Sequence, residues 1–226
     1  MATERELKYA LPDRESYQRL YAKLKAHVHT TKYQLNLYLA TQGHLLLSQG
    51  LSLRYRLEKQ GNRVRHFLTL KGAHQVEGDV HTALEFQEEG TQALLSTLLA
   101  GEVPVTDLMD WLNPKGLAIP RLHTRVFVDN CLLNRRDAFR TPGFDLLLDA
   151  IKYIDCRREY EMECETNDVA GARQQIKQLL RYLGIPALGG LMTKRSRAYQ
   201  HLANVAPGPD FFRRAVHSFV SGDGDA

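Results

Sequence analysis

At 226 residues, 43% of them hydrophobic, the chain holds enough apolar material for one large domain or two small ones and should fold alone. A formal charge of +4 is too small for a nucleic-acid-binding stripe but suits a local anion site, so nucleic acid is not an expected partner. No apolar run is long enough to span a bilayer and no leader pattern is visible, so no membrane partner is expected and the cytoplasm is the expected location.

In chain order, ERELK at residues 4–8 comes first. Glu4, Glu6 and Lys8 alternate with Arg5, Leu7 and Tyr9, which is the period of a strand and puts two carboxylates and an ammonium on one face. SYQRLYAKLKAHV then carries Tyr17, Leu20, Tyr21, Leu24 and Val28 at helical spacing, with Ser16 as its N-cap. Strands are predicted in YQLNLYLA, LSLRYRLEKQ, RVRHFLTLKG and VHTALEFQE, and turns such as KQGNRV between them favour hairpins and antiparallel order. GTQALLSTLLAG is a helix that leads into a structural connector ending near Trp111.

PRLHTRVFVDN, FDLLLDAIKYI and RREYEMECETN read as the remaining strands. NDVAGARQQIKQLLRYLG is a helix entered by Asn167 or Asp168 and closed by Gly184. A short helix is predicted over 210–219, and SGDGDA after it should be disordered. The expected organisation is one domain over 1–205 with a terminal helix and tail over 206–226. Cys131, Cys156 and Cys164 have neither metal-ligand spacing nor an even count and read as buried thiols.

Charge on these strands is sorted. Arg54 and Arg56 share one face, as do Thr69 and Lys71, and Arg121, His123 and Arg125; Asp145 and Asp149 line up on another strand. Glu159, Glu161, Glu163 and Glu165 stand opposite Tyr160, Met162 and Cys164. An antiparallel sheet with one wet face always shows polar alternation. A merely wet face, however, mixes Thr, Ser, Lys and Gln, and like charges gathered on one strand repel unless counter-charges lie opposite. If the sheet closes, carboxylates suited to Mg²⁺ or Mn²⁺ face arginines and lysines suited to phosphate across one lumen.

Glu4-Arg5-Glu6-Leu7-Lys8 resembles the ExExK signature of the CYTH domains, also called triphosphate tunnel metalloenzymes. The resemblance continues in order through LRYR with Arg54 and Arg56, LTLKG with Lys71, Glu85 in ALEFQEE, Arg125 in RLHTRVF, Asp149, YEMECE with Glu161 and Glu163, and Lys194 in MTKRSRAY. It spans roughly residues 3 to 202. It implies an α+β, β-dominated fold: an eight-stranded antiparallel β-barrel, or tunnel, with helices packed outside. It further implies that Lys8, Arg54, Arg56, Lys71, Arg125 and Lys194 bind phosphate. Glu4, Glu6, Glu161 and Glu163 would hold metal, with Glu85, Asp149 and Glu165 as further ligands. Ala40, Ala83 and Gln87 depart from residues common in the family and leave a reduced charge set.

The implied activity is hydrolysis of a small triphosphate, inorganic triphosphate or thiamine triphosphate, with Mg²⁺ or Mn²⁺ neutralising charge and activating water. Glu161 or Glu163 would orient that water and Lys71 or Lys194 would stabilise the departing diphosphate. Two alternatives share the scaffold: an adenylyl cyclase of the same superfamily, and a non-catalytic polyphosphate-binding module. The expected assembly is a monomer or weak homodimer.

Overall fold

β1 (Ala2–Leu11) sets the pattern for the sheet, with Leu7, Tyr9 and Leu11 packed on one side and Glu6 and Lys8 on the other. The computed structural model describes residues 2–112, 124–141, 144–190, 192–202 and 207–222. After β1 come α1 (Arg14–Leu24), β2 (Val28–Thr41), α2 (Leu45–Ser48), β3 (Ser52–Gln60), β4 (Arg63–Glu77) and β5 (Val80–Glu89). Then follow α3 (Gln92–Ala100), α4 (Val105–Leu112), β6 (Val126–Thr141), β7 (Phe144–Tyr153), β8 (Arg158–Glu165), α5 (Val169–Tyr182), α6 (Lys194–Gln200) and α7 (Pro209–Ser221).

The eight strands form a closed antiparallel barrel in the order β1-β5-β4-β3-β2-β6-β7-β8. Closure leaves no strand edge unpaired and turns one face of every strand inward. The inward face is the charged one. The apolar faces point outward, where helices cover them. Leu53, Tyr55 and Leu57 of β3 and Leu35, Leu37 and Leu39 of β2 pack with Leu95, Leu98, Leu108, Phe212 and Val216 from α3, α4 and α7. Leu7 and Tyr9 of β1 and Met162 and Cys164 of β8 pack with Tyr17, Leu20, Ile176 and Leu180 from α1 and α5. Most hydrophobic burial, worth about 1.5–3 kcal/mol per large side chain, therefore lies between barrel and helices; inside the wall Tyr38, Leu132, Ile151 and Tyr153 form a smaller apolar cluster with Ala198 of α6, and the rest of the lumen is polar.

Local departures from the sequence reading have physical reasons. α1 begins ahead of Ser16, because Asp13 is the N-cap and its carboxylate accepts from the Ser16 N–H at 2.7 Å. Asp168, of the two candidates, caps α5 by accepting from the Gly171 N–H. The strand expected over 120–130 instead begins at Val126 and runs on to Thr141, so NRRDAFRT is barrel wall; residues 113–123 lie outside the described residues. α6 occupies a segment for which no helix was predicted. Cys131 and Cys164 are buried as expected, whereas Cys156 is exposed, in a turn with φ 68°. α7 packs its Phe212 and Val216 into the outer core, and the expected tail lies, from residue 223, outside the described residues. No helix among the described residues is long and apolar enough to cross a membrane.

Candidate active site in the barrel lumen

The lumen holds a cavity of about 560 Å³ lined by inward side chains of β1, β3, β4, β5 and β8, with Arg136 of β6 and the start of α6. Of the residues singled out in the sequence, Glu4, Glu6, Lys8, Arg54, Arg56, Lys71, Glu85, Glu163, Glu165 and Lys194 line it. Asp149 and Glu161 lie against the same cluster, fully buried. Arg125 does not join them. It is exposed just before β6 and bridged through its backbone to Pro104, and the inward arginine of that strand is Arg136.

Three of the lumen's cations, Lys8, Arg136 and Lys194, join through Glu163 in one ion-pair network. Lys8 meets Glu163 at 2.7 Å and Glu6 at 2.8 Å. Arg136 grips Asp149 with two bonds, Nε to Oδ1 at 2.8 Å and Nη2 to Oδ2 at 2.5 Å, and also contacts Glu163. Lys194 reaches Asp149 at 2.7 Å and Glu163 at 2.8 Å and contacts Glu161, which Arg197 also holds. Against the cost of burial, Lys194, Lys8 and Arg136 hold the Glu163 carboxyl well below its ordinary range, and Arg136 and Lys194 bring Asp149 down to about 2. Asp149, Glu161 and Glu163, expected as metal ligands, do bring carboxylate oxygens within 4.8 Å of one another, and in this structure Lys8, Arg136, Lys194 and Arg197 occupy them as counter-charges in a buried network.

Two other groups are left with charge to spare. Glu4, Glu6 and Glu165 place carboxylate oxygens within 4.8 Å of one another. Burial and the neighbouring Glu163 push Glu6 up to about 7, and burial with Glu4 raises Glu165. Raised carboxyl pKa values mark negative charge that the protein itself under-compensates. On the facing wall, among the described residues, neither Arg54 nor Arg56 has a carboxylate within 4.0 Å. Arg56 donates from Nε to Asn36 Oδ1 at 2.8 Å, Arg54 reaches Thr69 Oγ1 at 3.4 Å, and burial together with Arg54 and Arg136 pulls Arg56 below its ordinary value. Lys71 stands beside them on β4, shared between Glu85 at 2.7 Å and Glu4.

Sequence reasoning missed Arg136, Arg195, Arg197 and His81. Arg136 falls in register with Asn134 and Asn130 once β6 is extended, and Lys194 and Arg197 are three apart, hence on one helix face. Arg195 donates to the Leu51 and Leu39 carbonyls and lies over the rings of Tyr38 and Tyr199. His81 pairs with Glu6 across β1 and β5 and is 1% exposed; its Nδ1 contacts His74 Nε2 at 3.3 Å and its Nε2 has no partner. Burial, Lys8 and His74 push it down to about 4, so the ring is neutral. A bulge between Gly72 and Gln75, with Ala73 at φ 51°, delivers His74 to that position.

A family model for the CYTH domain matches residues 2–195. The chain belongs to the CYTH domain family. Solved structures with the same fold include a Hippeastrum protein named for adenylyl cyclase and described as having a dominant triphosphatase activity. That protein shares 24% identity over 88% of this chain and 96% of its own, with a TM-score of 0.74. A Bacillus halodurans protein named for adenylate cyclase shares 22% identity over 87% of this chain and 98% of its own, TM-score 0.63. The PH1819 protein of Pyrococcus horikoshii shares 15% identity over 87% and 96%, TM-score 0.56. No match was found among curated proteins. The CYTH match ends within α6, so Arg197 and α7 lie beyond the segment it covers.

Proposed function

We propose that this CYTH protein is a metal-dependent triphosphatase that releases phosphate from inorganic triphosphate or a small organic triphosphate such as thiamine triphosphate. One observation carries the reading: across a single cavity, Arg54 and Arg56 without carboxylate partners face the carboxylate cluster of Glu4, Glu6 and Glu165, in which Glu6 and Glu165 are raised by burial and by neighbouring carboxylates. A polyanion with a hard divalent cation satisfies both walls at once.

Three carboxylate oxygens are the donor set that Mg²⁺ or Mn²⁺ takes, so Glu4, Glu6 and Glu165 would hold the cation. When bound, it supplies charge neutralisation on phosphate oxygens and a more acidic water. Arg54, Arg56 and Lys71, with the Thr69 hydroxyl, bind the non-reacting diphosphate end and stabilise charge on it as it departs. Lys8, Arg136 and Lys194 present ammonium and guanidinium groups at the depth of the cavity, and Glu161, Glu163 and Asp149 fix their positions. The roles for Glu161 and Glu163 are therefore positional, and the attacking water is oriented from the Glu4, Glu6 and Glu165 side. Arg125 has no part in this scheme.

The adenylyl cyclase alternative draws on the names of two structural relatives. A side-by-side assay separates the readings. With Mg²⁺ or Mn²⁺, the protein is expected to convert inorganic triphosphate to phosphate and diphosphate, to do so on thiamine triphosphate or ATP by terminal hydrolysis, and to stop in excess chelator. Cyclic AMP as the chief product from ATP would move the assignment to the cyclase. Tight triphosphate binding without turnover of any substrate would make the protein a binding module.

A further inference from the structure

A second cavity, about 910 Å³, lies outside the barrel between α1 and α7, floored by the outer faces of β2, β6, β7 and β8. It shares no lining residue with the lumen. Its charged lining groups are all cations: Arg14, Lys25, Lys59, Arg135, Lys152 and Arg158. Arg135 alone is paired, at 3.1 Å with Asp137, which is fully buried beneath and accepts from Thr31 at 2.6 Å and Tyr17 at 3.1 Å. Among the described residues the other five cations have no carboxylate within 4.0 Å.

Aromatic rings stand among these charges. Tyr21, Tyr33, Tyr160 and Phe219 are half-buried in the cleft wall. Tyr17 joins Tyr21 at 6.3 Å and Tyr160 at 5.0 Å between centroids, and the Arg135 guanidinium lies 5.4 Å over the Tyr21 ring. Tyr21 and Tyr160 pack on the outer core under α1 and α5 and Phe219 on the one under α7, and each also lines the cleft. A wall meant to be covered by more of the chain would not carry five unpaired cations, which cost free energy on desolvation. An anion bearing a flat ring satisfies both features: rings stack on rings, and phosphate oxygens meet lysine and arginine. An aliphatic polyanion leaves the rings unused, and an uncharged aromatic leaves the cations unused. The volume falls within the roughly 300–1,000 Å³ of small-ligand sites.

From this juxtaposition we infer that the cleft between α1 and α7 is a nucleotide-binding site separate from the lumen. Tyr33 of β2 stacks on the base, and Lys152 and Arg158, cross-strand neighbours on β7 and β8, take the phosphate. The ring and cation side chains of the site lie within the CYTH match, and α7, which lies beyond it, supplies the opposite wall through Ala215, Ser218 and Phe219.

The test is calorimetric titration of AMP into the full chain whose lumen is saturated with imidotriphosphate in chelator. AMP is expected to bind one site, at least tenfold more tightly than ribose 5-phosphate. Lys152→Glu with Arg158→Glu should weaken AMP at least tenfold, and Tyr33→Leu at least fivefold, while Tyr33→Phe, which keeps the ring, retains the affinity. None of these variants should change triphosphate turnover, and a thermal melt of each confirms that it is folded. The proposal is overturned if AMP does not bind, if imidotriphosphate abolishes its binding, or if ribose 5-phosphate binds equally well. It is also overturned if folded charge-reversal variants bind AMP normally, or if a ten-residue oligoadenylate binds over a hundredfold tighter than AMP, which would mark a path for a polymer. Each outcome is read as binding, so failure here is distinct from failure of the triphosphatase reading.

Discussion

Arg54 and Arg136 are both arginines aimed into one lumen, yet their surroundings give them different work. Arg136 is locked to Asp149 and Glu163, whereas Arg54 has Thr69 and space. Arg54→Ala should therefore raise KM for triphosphate at least tenfold with little loss of stability. Arg136→Ala should destabilise the fold by about 3–5 kcal/mol, because it strands buried carboxylates; a denaturant titration of each variant beside its kinetics reads both numbers. Glu6→Gln should shift the metal dependence of turnover to higher concentration, since a cation there loses a charged ligand, and an unchanged metal titration would remove Glu6 from that role. His81 lines the lumen cavity with an unpartnered Nε2, which we propose hydrogen-bonds the substrate; His81→Leu should then lower kcat/KM about tenfold, or ~1.4 kcal/mol, and His81→Gln should recover most of it. This side chain was illegible in the sequence, because a histidine at an alternating position looks the same whether its free nitrogen meets water or a closed cavity. Arg136 was hidden differently: Arg125 offered a plausible cation earlier in the same segment, and only pairing with β7 shows which arginine faces in.

At the scale of elements, α6 is held to the barrel by charge more than by apolar area. Lys194 and Arg197 enter the network of Asp149, Glu161 and Glu159, Arg195 reaches the Leu39 and Leu51 carbonyls, and the Tyr199 hydroxyl donates to Asp129. Burial pushes Asp129 up to about 7 even with Arg195 nearby. A carboxyl whose folded pKa lies above its unfolded value of about 3.9 favours the fold only while protonated. Its contribution is thus full below about pH 4 and is lost as pH rises through 7. In thermal melts the Asp129→Asn variant should gain on wild type across pH 4 to 7, and a gap independent of pH would show that Asp129 is ionised throughout. Strands β1, β3, β4, β5 and β8 were legible because alternation of charge and leucine is strong there. α6 was not, since KRSRAYQ is seven residues with no apolar stripe, and its helix exists because the barrel supplies the counter-charges.

The whole molecule reverses the usual arrangement of a barrel, with two apolar cores outside the wall and a charged cluster within it. The composition and alternation made the eight strands readable, and the order of charged motifs along the chain resembled the CYTH pattern that the family match then bore out. Ring order, the length of β6 and the outer cleft depend on pairings between distant segments, which no local pattern encodes. What the closed ring creates is a shared site: Arg54 and Arg56 on one wall, Lys8 and Lys194 deeper, Lys71 between. The proposed activity requires these cations to act together on one polyanion. The most direct measurement is a thermal melt in chelator with triphosphate, diphosphate and orthophosphate at matched ionic strength, so that screening is equal in all arms. Ligand at about 100 times its dissociation constant adds roughly 2.7 kcal/mol, which raises Tm by about 5–10 °C for a chain of this size. A shared cation site gives that shift for triphosphate, a smaller one for diphosphate, little for orthophosphate, and loss of the gradient in Arg54→Ala with Arg56→Ala. Equal shifts for all three anions, or a gradient that survives both substitutions, would contradict it.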